Sequence, residues 1–322
     1  MLMDPAISRR AILGASLLAG AALVSGCAPA GGLARPSRAK RPLGIQLYML
    51  GDIWLRDPAA TFTELAAIGY REIEMPQVPS KDRRTIVTAA SDAGLAITSV
   101  HLGSGRLAPK GQPSLDSAPS EIADAFGEIG AAQAVLSMMP VPASARFGGG
   151  RPFGVAVREA IAAEGGDYWR RLADLLNGRA AELAPLGIAL GYHNHDIEFA
   201  PVEGTTGYDL LLSHLDPALV HLELDIGWVT AAGRDPAAMI RALGPRVRQL
   251  HLKDVAAAAP PQFAIEAKPA VVGAGIVDWR DVLAAADEAG VAHAYVEQEP
   301  PFAIPRMEAA RRSQAFLAAL RA

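Results

Sequence analysis

From Leu43 onward the chain repeats one unit: an amphipathic helical stretch, a glycine, then a short apolar run. The helical stretches end in LAAIGY (Gly69), SDAGLAI (Gly94), GEIGAA (Gly130), LAPLGIAL (Gly187), RALGPRV (Gly244) and DEAGVAH (Gly290). Glycine suits the left-handed residue that closes a helix. The runs that follow are YREIEM, LAITSVHL, AAQAVLSM, IALGYH, VRQLHL and AHAYVE, joined by GIQLYM within Leu43–Met49 and VHLELDI over Val220–Ile226. Eight strands alternating with helices across residues 43–322 predict an α/β protein with parallel strands, a (β/α)8 TIM barrel. A doubly wound sheet would place a glycine-rich phosphate loop after an early strand. Nothing of that kind follows GIQLYM.

The rest of the chain reads differently. Ser8-Arg9-Arg10 precedes a sixteen-residue uncharged run, Ala11–Gly26. A membrane span needs about 20 residues, so the run fits the apolar core of an export signal over 1–26. The arginine pair resembles a twin-arginine signal. Val24-Ser25-Gly26-Cys27 resembles a lipoprotein box, with Cys27 as the lipid-carrying residue; an ordinary cleaved signal with an incidental cysteine is the alternative. Residues 27–42 read as a flexible tether. The expected location is the periplasm, with membrane contact only through a lipid on Cys27. As the only cysteine, Cys27 also excludes a disulfide framework and a cysteine zinc site. A net charge of −4 argues against a nucleic-acid surface, and 51% hydrophobic residues supply a large core.

Two segments break the repeat, Met138–Gly154 after strand four and Ala256–Gly275 after strand seven. In a barrel both lie on the face that carries active sites, where long loops serve as lids or substrate walls. Polar residues two apart mark the strand ends: Glu72 and Glu74, Ser99 and His101, His193 and His195, Glu223 and Asp225, His251 and Lys253, Glu297 and Glu299. Side chains two apart share a face of a strand, so these pairs are expected to converge at the barrel mouth. Buried charge is costly unless paired or metal-bound. His193, Asp225, His251 and Glu297 make a sulfur-free ligand set for a single divalent metal: Mn²⁺ first, with Co²⁺, Zn²⁺, Fe²⁺ or Mg²⁺ also fitting. Such an ion could polarise a carbonyl and stabilise an enediolate.

Other residues carry smaller expectations. His214 and His221, flanking a turn at Asp216-Pro217, are expected to be exposed. His293 begins the last strand at the opposite end and has no assigned role. Trp279 is expected to anchor a helix start. Tyr48, Trp54, Trp228 and Phe302 follow strand ends, where they could stack on a sugar or pack at the rim.

With those residues in view, the chain resembles the xylose isomerase-like TIM-barrel superfamily, which includes sugar-phosphate isomerases/epimerases, inosose dehydratase and endonuclease IV. The resemblance runs from about Leu43 to Leu320 and rests on GYHNHD, ELDIGW, HLKD, VGAGIVDW and YVEQE, with the YHNHD run pointing to an exported branch. It implies one divalent metal held by strands five to eight. Family epimerases commonly carry Glu-Asn-His on strand five, where this chain has His193-Asn194-His195. Their strand-six Asp-x-x-His is here Asp225-Ile226-Gly227-Trp228. Two metal-bound glutamates exchange the proton in those epimerases; only Glu297 is present here.

The expected activity is therefore a metal-dependent sugar isomerase/epimerase-like reaction, with proton abstraction beside a carbonyl. Glu297 is the base, with Lys253 and His195 as further catalytic candidates. His101, Glu74, Trp228 and Tyr48 are the candidate substrate contacts. The alternatives are a lyase or hydratase acting on an oxidised sugar or cyclitol, and a non-catalytic, lipid-anchored sugar-binding protein. The partner is a small carbohydrate; a homo-oligomer is allowed.

Overall fold

In a computed structural model that describes residues 41–80 and 82–321, eight parallel strands close into a barrel. They are β1 (Gly44–Gln46), β2 (Glu72–Met75), β3 (Ala96–Leu102), β4 (Gln133–Leu136), β5 (Ala189–His193), β6 (Val220–Asp225), β7 (Val247–Leu252) and β8 (His293–Val296). Each strand pairs with its neighbours in sequence, and β1 pairs with β8 to complete the ring. This is the TIM barrel expected from the repeat. The expected export signal over 1–26, Cys27 and the expected tether as far as residue 40 lie outside the described residues. No described helix is long and apolar enough to cross a membrane.

Helices between the strands are started by side chains. Asp57, Thr206, Asp225, Asp235 and Asp278 each accept an amide N–H from the first turn of the helix they precede. This satisfies donors that would otherwise lack partners. The helices bury Phe62, Leu65, Phe126, Leu176 and Ile240 against the outside of the barrel. Apolar burial contributes about 25 cal/mol per Å² of surface removed from water, so this shell dominates stability.

The inside of the barrel is polar. A lower belt runs His221 Nε2 to Gln249 Oε1 (2.6 Å), Gln249 Nε2 to Tyr295 Oη (3.5 Å) and Tyr295 Oη to Thr98 Oγ1 (2.8 Å). The expectation of an exposed His221 is wrong: it is the second residue of β6, faces inward and is 3% exposed. Gly191 makes room for it, because a Cβ there would meet His221 Nε2 at 2.5 Å.

Two other expectations change. Strand one stops at Gln46, whose side chain accepts the Tyr48 N–H (3.1 Å) and turns Leu47–Leu50 into a 3-10 helix. Neither Glu72 nor Glu74 reaches the mouth: Glu72 pairs with His293 (2.9 Å) at the base, two residues and about 7 Å below Glu74 along the strand. The chain also enters at the base. Arg41 donates to Val291 O (2.6 Å) and Asp287 Oδ1 (2.9 Å), next to where β8 begins.

At the opposite end, the loop after β7 carries a two-residue antiparallel ladder, Asp254–Val255 with Pro269–Ala270. Asp254 organises its return. Its carboxylate accepts N–H groups from Val255, Gly273, Gly275 and Val277 and the indole N–H of Trp279 (2.9 Å). The HLKD and VGAGIVDW motifs are thus two sides of one hydrogen-bonded knot, and Trp279 begins the helix Trp279–Ala289 as expected.

Candidate active site

The upper layer of the barrel brings together the ends of β5 to β8. Pairing sets His193 beside Glu223 and Asp225 beside His251. His251 Nδ1 lies 3.0 Å from Glu297 Oε2 and 3.7 Å from Asp225 Oδ2, and His193 Nε2 lies 3.6 Å from the same Asp225 oxygen. Among the described residues, two groups have atoms close enough together to hold an ion: Asp225, His251 and Glu297, and below them His101, His193, Glu223 and His251. His251 belongs to both. His193, expected with the upper group, falls in the lower one and reaches the upper one through Asp225.

The outer partners fit an ion at the upper position. Asp225 Oδ1 accepts the Trp228 N–H (2.8 Å), while Oδ2 is buried and has no hydrogen bond of its own. Lys253 Nζ comes within 3.0 Å of that oxygen without hydrogen-bonding alignment, so the contact is one of charge. His193 Nδ1 bonds to Glu223 Oε2 (3.0 Å) and His251 Nε2 to Glu74 Oε2 (2.5 Å). His193 thus has one nitrogen tied to Glu223 and the other facing Asp225, and His251 has one tied to Glu74 and the other facing Glu297 and Asp225, the arrangement that orients a metal-binding histidine. An imidazole and carboxylate set without sulfur suits a borderline or hard divalent ion.

Glu74 was expected to contact substrate. Instead it is fully buried beneath the pocket, where it bonds to Gln46, Ser99 and His251. Its strand ends one residue later, so its side chain stops at the layer of His251 instead of reaching the rim. His101 does line the pocket, and its Nε2 bonds to Glu223 (3.0 Å). Glu223 had no role assigned from sequence, yet it contacts His101, His193 and His251. Its place two residues before Asp225 on an inward-facing strand was the signal that could have found it.

Burial and neighbours set the charges. Burial and the nearby Glu74 raise Glu223 to about 7. Burial opposes charge on His251, but Glu223, Glu74 and Glu297 override it and hold the ring well above the usual histidine range. Burial likewise opposes the Lys253 ammonium, and Asp225, Glu297 and Glu299 more than compensate. Burial works against the Glu297 carboxylate; Lys253 and His251 overcome it and hold Glu297 well below its ordinary value. His195 goes the other way: burial first, then Lys253, lowers it to about 3, leaving a neutral ring.

Lys253 sits at the centre of the pocket floor. Its Nζ is 2.7 Å from Glu297 Oε2 and 3.1 Å from Glu299 Oε1, and it lies 4.9 Å above the Trp228 ring. Gly227 lets its stem pass, since a Cβ there would meet Lys253 Cγ at 2.8 Å. The DIGW and HLKD motifs therefore build one feature. Above this floor opens a pocket of about 900 Å³, lined by Tyr48, His101, His193, His195, Trp228, Lys253, Glu297 and Glu299 among others. His195 Nδ1 is buried there without a hydrogen-bond partner. Of the aromatic candidates, Tyr48 and Trp228 face the pocket. Trp54 is a core residue, 2% exposed, and Phe302 packs against the core beneath Arg306 (4.3 Å).

Asp196 and Glu198, just past β5, have no role assigned from sequence beyond orienting a loop, and the structure gives each its partners. Glu198 accepts the Tyr192 hydroxyl (2.7 Å) and the His195 N–H (3.0 Å), fixing the turn that carries His195; burial raises its carboxyl to about 8. Asp196 accepts the N–H groups of Ala264 (3.1 Å) and Ile265 (2.8 Å), and burial raises it to about 6 against those bonds.

A barrel with a buried imidazole and carboxylate cluster under its mouth is the form of a sugar-processing family, and sequence comparison places the chain in it. Residues 62–320 match the xylose isomerase-like TIM barrel family, and the chain belongs to that family. The inosose dehydratase of Geobacillus kaustophilus is 28% identical over 214 residues, 64% of each chain. That of Bacillus anthracis is 33% identical over 89 residues, 28% of this chain and 29% of the enzyme, so the matches span less than two thirds of these curated relatives. A Parabacteroides distasonis structure described as a sugar phosphate isomerase/epimerase superposes with a TM-score of 0.68 at 24% identity, covering 91% of this chain and 99% of that one.

Proposed function

We propose that this protein is a divalent-metal-dependent enzyme that removes a proton beside a carbonyl of a sugar or keto-sugar and then eliminates water. The observation that carries this reading is the pocket floor: Glu297 and Glu299 flank the Lys253 ammonium, and Glu297 is the one of the two that also contacts His251. Asp225, His251 and Glu297, with His193, would hold the ion, which when bound polarises the carbonyl and lowers the cost of the charge that develops on its oxygen. Glu297 takes the proton from the α-carbon. The electron pair of that C–H bond forms a C=C bond as the β-hydroxyl leaves, and a proton from the Lys253 ammonium makes the leaving group water, with the neutral His195 ring placed to hydrogen-bond the departing oxygen. Tyr48 and Trp228 offer aromatic faces to the sugar ring, and His101 lines the same pocket. The inosose dehydratases among the relatives favour elimination.

Isomerisation or epimerisation is the second reading. His195 Nδ1, unpartnered in the same pocket, favours it, since its neutral imidazole just past β5 could serve as a second proton-transfer group together with Glu297, just past β8. Export with a lipid on Cys27 belongs to either reading and rests on residues 1–27 alone. It points to free sugars, keto-sugars, glycosides or cyclitols as substrates. Proton NMR in D₂O, with Mn²⁺-supplemented protein and a panel of oxidised and unoxidised sugars, tests the proposal. Loss of water with a new enone absorption is expected from a keto-sugar, and Glu297→Gln should abolish it. Solvent exchange with the carbon skeleton retained would select isomerisation, and no exchange or elimination with any sugar would reject both.

A further inference from the structure

The long loop after β7 is fastened over the pocket by a residue that takes no part in the chemistry. Asp196 is 1% exposed and immediately follows the pocket-lining His195. Its two carboxylate oxygens each accept one loop N–H, from Ala264 and Ile265. Phe263 and Ile265 have φ of 50° and 56°. Left-handed backbone is unfavourable for such side chains, and a β-branched one most of all. The turn is therefore held by its attachments and not by its own preference. Two more attachments come from the helix Phe153–Glu164. Arg158 donates to Gln262 O (2.5 Å), and Gly154 packs so closely that any Cβ would run into Ala264 O.

Held this way, the loop lines the pocket with Gln262, Ile265, Glu266 and Lys268. The reacting groups Glu297, Lys253 and His195 belong to the floor. The pocket's volume of about 900 Å³ lies at the top of the roughly 300–1,000 Å³ range for sites that enclose drug-sized ligands, more than one sugar ring requires. Gln262, Glu266 and Lys268 offer an amide, a carboxylate and an ammonium, the groups that bond to hydroxyls, and Ile265 offers an apolar edge.

We infer that residues 259–268 form a second subsite for a sugar ring or aglycone attached to the reacting sugar, and that Asp196 is the positioning residue that builds it. The inference rests on the carbohydrate reading above. Calorimetry on the full Mn²⁺-supplemented protein, with glucose, cellobiose and maltose as probes, tests it together with hydrogen exchange of the loop amides. At least one disaccharide is expected to bind about tenfold more tightly than glucose, a difference one or two added hydrogen bonds supply. Asp196→Ala should erase that preference, leave glucose binding unchanged and release the Ala264 and Ile265 amides to exchange. Glu266→Ala/Lys268→Ala, at exposed positions, should erase the preference with the fold intact, which keeps the test open if Asp196→Ala does not fold. Equal affinities for all three sugars in the wild type would overturn the subsite alone. Unchanged preference and exchange in Asp196→Ala would overturn the role of Asp196. Absence of any sugar binding would remove the carbohydrate reading and the subsite with it.

Discussion

Lys253 and Glu297 form an ion pair at 2.7 Å in which both side chains are almost fully buried, 4% and 7% exposed. Removing one member of such a pair leaves an uncompensated charge and typically costs about 3–5 kcal/mol. Lys253→Gln should therefore lower the melting temperature sharply in chelator, and Mn²⁺ should narrow the gap to wild type because the ion supplies the missing charge. Calorimetry with and without Mn²⁺ checks this. A gap that stays the same size would mean that Lys253 does not balance the charge of the ligand set.

Glu74 acts through His251, to which it bonds at 2.5 Å. Glu74→Gln keeps the side chain's volume and removes its charge. Loss of such an outer partner costs about 10–100-fold in metal affinity. Competition against a chromophoric chelator should show that drop, with circular dichroism unchanged. Unaltered affinity would return Glu74 to a purely structural place beside Ser99 and Gln46.

Gly227 is needed for the path of the Lys253 stem. In Gly227→Ala the new Cβ meets Lys253 Cγ, so the ammonium must move off Glu297 or the helix Ile226–Ala231 must shift. Overpacking of this kind costs about 1–3 kcal/mol. Turnover of whichever sugar the wild type accepts should fall by more than the stability loss explains, mostly in kcat. A variant with normal kcat would detach Lys253 from the chemistry.

Glu198 makes stability depend on pH. Its carboxyl is held at about 8 in the fold, against 4.5 ordinarily, chiefly by burial. Between those values the folded protein keeps a proton that the unfolded chain has released. Its contribution is thus fully present below about 4.5 and is lost as pH rises through about 8. Urea denaturation from pH 5 to 8.5 should show wild type losing more stability across the range than Glu198→Gln. Parallel curves would mean that Glu198 is already ionised in the fold.

The barrel was legible because its information is local. Six of the eight strands declare themselves as apolar runs after a helix-ending glycine, and the order of pairing follows the order of the chain. The alternation of side chains also brought out Asp225, His251 and Glu297. Depth was harder to read. Glu72 and Glu74 look alike in sequence, but one pairs with His293 at the base and the other lies under His251. His221 seemed to belong to a turn, and where β6 begins decides that it faces Gln249. The bonds of Asp196 to Ala264 and Ile265 cross 68 and 69 positions of sequence, and no periodicity encodes contacts of that kind.

Arg41 is joined to Val291 and Asp287 at the end where the strands start, and the pocket opens at the end where they finish. The chain is thus gripped from below. The contacts that fasten the first described residues and the contacts that shape the pocket are separated by the length of the barrel strands, and a change at one end need not disturb the other.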